Sequence, residues 1–224
     1  MPTLVDIEVA LDAVTGAATC LVALYFLRIW LGTRREQPLL FCLGLLLTGL
    51  GFATVAASHY DLGRNPDLWD QLRLAGQLGG PLVVLFAYVA REGTGWPRFL
   101  LVVSSAYFIL AVVFAVLFFI VPPAGTFPSV EWTFLPAHAA MTALWSACAL
   151  LAYRRSRAAR AGALVPLGFV AFALGKYTWF LADLSQDQTI VLLVYPWRVL
   201  AIALLLAAIG FPTPKEEAPE LAEA

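Results

Sequence analysis

Apolar residues run through this chain in seven blocks separated by short polar punctuation, with neither the period-2 alternation of strands nor the one-sided stripes of water-soluble helices. About 20 consecutive, mostly apolar residues are needed to cross a bilayer as a helix. Leu39 to Ser58 and Trp132 to Tyr153 meet that length with no Asp, Glu, Lys or Arg. A third charge-free run, Phe99 to Val130, is too long for one span and breaks at Pro122, Pro123 and Gly125. Four further blocks each hold an isolated charge: Asp12, Arg73, Lys176 and Arg198. The pattern predicts helices over 7–31, 37–59, 67–90, 98–121, 131–153, 162–183 and 189–211. Residues 1–211 read as one seven-helix transmembrane domain, and 212–224 as an acidic, Pro-containing tail expected to be disordered on the cytoplasmic side. No basic n-region or small-residue cleavage site accompanies the first block, so no removable signal peptide is expected.

Composition strengthens this reading. The chain is 61% hydrophobic and 13% charged, with mean hydropathy +0.83, outside the range of an ordinary water-soluble domain. Orientation comes from the basic residues, which accumulate in short cytoplasmic loops. Arg28, Arg34, Arg35, Arg91, Arg98, Arg154, Arg155, Arg157, Arg160 and Lys215 fall on one side; Arg64 falls on the other, with Asp6, Glu8, Asp61, Asp67, Glu131 and Asp187. That places the N-terminus outside and the C-terminus inside, in a cell (inner, cytoplasmic) membrane. Net charge of −1 carries no message, because the two signs are segregated across the bilayer.

The blocks hint at duplication. Leu43-Gly44, Leu50-Gly51 and Arg73 recur as Leu167-Gly168, Leu174-Gly175 and Arg198, an offset of 124 residues at the glycines (44 to 168) and 125 at the arginines (73 to 198). Three helices, a connector and three more would make the copies parallel, a plan that suits a pocket between halves. Gly76, Gly79 and Gly80 allow close helix approach, and Pro81 should bend helix three.

Candidate chemistry lies in the charges the spans carry. An ionisable group at the bilayer centre costs several kcal/mol unless it is paired or wet. Lys176 and Arg198 fall near the expected midplane, Arg73 and Asp12 shallower, and Asp70 and Asp183 near the outer rim. Asp70, Arg73 and Gln77 share one helical stripe; Lys176, Trp179 and Asp183 share another. Tyr195 lies one turn before Arg198, beside Trp197 and the loosening Pro196. His59 closes helix two, and His138 lies just inside helix five. These stripes are expected to converge on an outward-opening pocket. Arg73, Lys176, Arg198, Tyr195, Trp179 and Gln77 would line it, and Asp12, Asp70, Asp183, His59 and His138 would form the supporting polar network.

Other chemistries lack their residues. Two histidines without nearby cysteines make no metal set, and Cys20, Cys42 and Cys148 are solitary, so neither a metal nor a disulfide framework is expected. A retinal Schiff base needs a lysine on the last helix, where this chain has Arg198; Lys176 is one helix early. Haem would want paired inward histidines. Trp30, Trp69, Trp96 and Trp132 sit near span ends as interfacial anchors. No nucleophile–base pair or phosphate-cradling loop is visible, and no domain is left for nucleic acid, so neither an enzyme nor a cofactor-binding protein is expected. The overall plan is similar to membrane input modules attached to some prokaryotic sensor proteins. The expectation is therefore a sensor- or receptor-like binder of a small polar or anionic ligand, working with the lipid bilayer and a membrane or cytoplasmic partner protein. Transport of a small solute or ion, and service as a structural or accessory subunit of a larger complex, are the alternatives.

Overall fold

The computed structural model describes residues 4–60, 66–90, 95, 97–105, 131–156, 163–185 and 188–210. It is helical throughout: α1 Leu4–Thr33, α2 Glu36–Tyr60, α3 Pro66–Val89, α4 over 97–105, α5 Glu131–Ser156, α6 Leu164–Ser185 and α7 Val194–Gly210. The rest of the fourth expected span, the loop arginines 64, 91, 157 and 160, and the 212–224 tail lie outside the described residues.

Five stretches among the described residues are long and apolar enough to cross a membrane: Val9–Thr33, Glu36–Val55, Gln71–Val89, Leu164–Ala182 and Thr189–Ile209. The protein is thus a helical, multi-pass membrane protein. The α5 helix forms where expected but is not among the five; His138, Thr142 and Ser146 dilute its apolar character. The seventh span starts as a 3₁₀ helix, Gln188–Leu193, before α7 takes over. Pro196 is the cause: it has no N–H for the Leu192 carbonyl, and its ring clashes with an α-helical residue four positions back.

Six helices close a ring in the order α1, α2, α3, α5, α6, α7, with α7 returning to α1. These helices turn many apolar residues outward, while several polar ones are buried between them. On α1, Val14, Leu21, Leu24 and Leu31 are exposed, while Asp12, Thr15 and Thr19 are buried. That inversion suits a lipid environment. The buried threonine hydroxyls are satisfied by their own helices: Thr15 donates to the Leu11 carbonyl (2.6 Å), Thr19 to Thr15 (2.7 Å) and Thr48 to Gly44 (3.0 Å).

Glycines set the tightest packing. A Cβ on Gly76 would lie 2.7 Å from the Gly51 Cα, so α2 and α3 meet backbone to backbone there. Between α1 and α2, a Cβ on Gly16 would lie 2.9 Å from the Gly49 carbonyl oxygen.

Aromatic rings fill the bundle interior as a continuous column. Starting from Phe52, ring centroids step to Phe172 (6.4 Å), Trp145 (5.0 Å), Phe169 (5.3 Å), Tyr88 (6.3 Å), Phe41 (4.8 Å) and Phe26 (5.1 Å). Phe52, Trp145, Phe169 and Phe172 are all essentially inaccessible. At the far end Arg155 donates to the Tyr88 carbonyl and sits over its ring.

Candidate functional site

At the Phe52 end of the column, every helix of the ring sends a residue to one place. The stripe 138, 141, 145, 148 of α5 puts His138 in line with Trp145, and the stripe 169, 172, 176, 179 of α6 carries Phe169 and Phe172 up to Lys176 and Trp179. On α3, Arg73 and Gln77 share the inward face with Gly80, Val84 and Tyr88. Asp12 comes from α1, Phe52 from α2 and Arg198 from α7.

Arg198 Nη1 donates to Asp12 Oδ1 in a buried ion pair, the two residues being 3% and 0% exposed. Lys176 Nζ donates to Gln77 Oε1, also buried. Gln77 passes the chain on: its Nε2 reaches the Gly51 carbonyl at 3.4 Å. That contact exists because Gly51 and Gly76 let α2 approach the Gln77 turn. One aromatic ring serves both cations. Phe52 lies 5.4 Å from Lys176 Nζ and 5.2 Å from the Arg198 guanidinium carbon, within cation–π range.

A second group adjoins the first. His138 stacks on Trp179 with centroids 5.8 Å apart, and the Arg73 guanidinium carbon is 5.8 Å from the same indole. Among the described residues, Asp12 Oδ2, an acceptor, and Trp179 Nε1, a donor, are buried here without a hydrogen bond. Among the described side chains of this cluster there is one carboxylate, Asp12, and it pairs with Arg198.

The structure brings Asp12, Arg73, Gln77, His138, Lys176, Trp179 and Arg198 together. Two details differ from the expectation. Lys176 is held by the neutral amide of Gln77 rather than by a carboxylate. Lys176 and Arg198 are enclosed by protein, not set on an open wall. Tyr195 and Trp197 are half-buried on α7, with the Trp197 Cβ close to Gly175 of α6. The side chains of His59, Asp70 and Asp183 lie outside the described residues. Among the described residues, no group of three or more His, Cys, Asp or Glu could hold a metal.

Phe52 and Trp145 were not legible as site residues. Trp145 did carry a signal, being a tryptophan in mid-span, where interfacial anchoring cannot account for it. Phe52 carried none beyond adjacency to Gly51.

Comparison with models of known protein families, with curated proteins and with solved structures yields no match.

Proposed function

We propose that this chain is a non-enzymatic membrane protein that binds a small anionic or polar solute at the Asp12–Lys176–Arg198 focus and works as a sensor or receptor. One observation carries the reading: the buried Lys176 is held by the uncharged amide of Gln77, while the described carboxylate beside it, Asp12, is paired with Arg198. An embedded ammonium held by a neutral group is costly, by several kcal/mol, and an arriving anion offsets that cost. The Trp179 indole donor and the second Asp12 oxygen offer further polar contacts. The ligand enters from the side with acidic loops, which the distribution of arginines makes the outside; the basic loops and the C-terminus face the cytoplasm.

The aromatic column favours sensing over transport. Its stacked rings occupy the space between the polar focus and the Arg155 end, where a permeation path would need polar lining. A bound ligand that shifts Lys176 or Arg198 moves Phe52, and Phe52 begins the column. Transport by the same site is the second reading. It draws support from the repeat: Gly44 packs against Gly80, and Gly168 against Leu205, the same pair displaced by 124 and 125 residues.

The test is thermal unfolding in detergent against acetate, nitrate, sulfate and phosphate at constant ionic strength. A selective rise in Tm that disappears in folded Lys176→Ala and Arg198→Ala supports the proposal. Selective binding that is unchanged in both variants removes it, as does no response to any anion or small polar solute. Uptake of the stabilising solute into proteoliposomes would select transport.

A further inference from the structure

At the opposite end of the column the helix ends enclose a cleft of about 420 Å³, lined by Arg34, Arg35, Glu36, Gln37, Pro97 and Arg98. Its walls are the α1–α2 turn, the end of α3 and the start of α4. Arg34 makes that turn. Its φ of 56° is left-handed, its N–H caps α1 on the Trp30 carbonyl at 2.7 Å, and its guanidinium carbon lies 5.0 Å from the Trp30 ring. Gln37 ties the turn to α3, donating from Nε2 to the Ala87 carbonyl at 2.9 Å.

Among the described residues the charges in this cleft do not cancel. Arg98 Nε pairs with Glu36 Oε1 at 3.3 Å, which uses the one carboxylate of the described lining. Arg34 and Arg35 form no ion pair among the described residues, and both are exposed. Two consecutive arginines in one lining suit a tetrahedral oxyanion, which can accept forked hydrogen bonds from each. The volume exceeds a bare phosphate and is at the lower end of the range for small-molecule sites. Trp30, half-buried at the same level, is a residue type that settles at the headgroup layer.

We infer that this cleft is a phosphate-binding site at the membrane surface, with Arg34 and Arg35 holding the phosphate and the Glu36–Arg98 pair forming the opposite wall. The phosphate belongs either to an anionic phospholipid headgroup or to a free phosphorylated solute. The site is independent of the anion focus proposed above and sits at the other end of the aromatic column. Gln37 bonds the residue next to Tyr88, so an occupied cleft braces the base of that column.

The experiment uses the full chain in neutral detergent. Short-chain phosphatidylglycerol is compared with phosphatidylcholine of the same chain length, and inorganic phosphate with chloride at equal ionic strength. Phosphatidylglycerol should raise Tm by several degrees in the wild type and in Arg154→Gln, whose exposed arginine lies outside the cleft, but not in Arg34→Gln/Arg35→Gln. A matching response to inorganic phosphate identifies a free-anion site; a response to phosphatidylglycerol alone identifies the headgroup. Equal loss in Arg154→Gln would mean diffuse charge attraction and overturn the proposal, as would no response in the wild type to either phosphate source. Should the double variant fail to fold, native mass spectrometry of the wild type decides. One phosphatidylglycerol or phosphate retained per chain supports the site, and graded, non-saturating adducts refute it.

Discussion

Asp12 and Arg198 are 186 residues apart in sequence, yet they form a fully enclosed ion pair between the first and last helices. The pair locks α1 to α7 and closes the ring. Removing one partner leaves an unmatched buried charge, so Asp12→Ala should destabilise by about 3–5 kcal/mol. Asp12→Leu/Arg198→Met removes both charges and should lose much less than either single change. Reversible unfolding in mixed micelles measures the cycle; a double variant no better than the singles would show that the pair acts independently. Phe52 is testable in the same way. Phe52→Leu keeps most of the volume but removes the π-face under Lys176 and Arg198, at about 0.5–2 kcal/mol per cation. Phe52→Ala adds a cavity and should cost about 3–5 kcal/mol. The charged members of this cluster were legible in the sequence, because a cation in mid-span demands an explanation. The ring beneath them was not, since one Phe among many apolar residues carries no distinguishing pattern.

At the scale of elements, prolines lie close to the residues that build the focus. Pro81 withholds an N–H from the Gln77 carbonyl, Pro136 precedes His138 by two residues, and Pro196 precedes Arg198 by two. Each local break in the helical ladder adjoins a polar side chain aimed inward. The opposite constraint acts where α2 meets α3, since a Cβ at Gly76 would press on Gly51 backbone. Gly76→Ala is therefore predicted to destabilise by about 1–3 kcal/mol through overpacking. It should also weaken anion stabilisation, because forcing the helices apart withdraws the Gly51 carbonyl from Gln77, which holds Lys176. Tm with and without the stabilising anion checks both effects; a Gly76→Ala protein of wild-type stability would show that the contact relaxes freely. Most helix limits were readable, because length and apolarity are what a bilayer selects. The 3₁₀ start of the seventh span was not, although Pro196 stands just after it. A proline announces a disturbance without saying which helical form absorbs it.

For the whole molecule, the sequence pattern implies more than helix count. Blocks of charge on alternate sides fix which ends share a surface, and the ring agrees: Arg34, Arg35, Arg98 and Arg155 all cluster near the Tyr88 end of the column. What no single-chain pattern specified was ring order, which depends on long-range pairs such as Asp12–Arg198 and Cys148–Pro81. The proposed orientation in the membrane rests on the same segregation and can be tested directly. In a background with Cys20, Cys42 and Cys148 replaced by Ser or Ala, single cysteines at Asp61 and Arg35 should behave oppositely in intact cells or right-side-out vesicles. Asp61→Cys should react with an impermeant maleimide from outside, and Arg35→Cys only after permeabilisation. The reverse result would place the basic cleft outside and the polar focus toward the cytoplasm. It would redirect the proposed ligand to an intracellular solute, while the ion pair, the shared Phe52 ring and the Lys176–Gln77 bond would be untouched. The proposed charge of the ligand rests on geometry at the focus; the proposed side of entry rests on the arginine-rich turns.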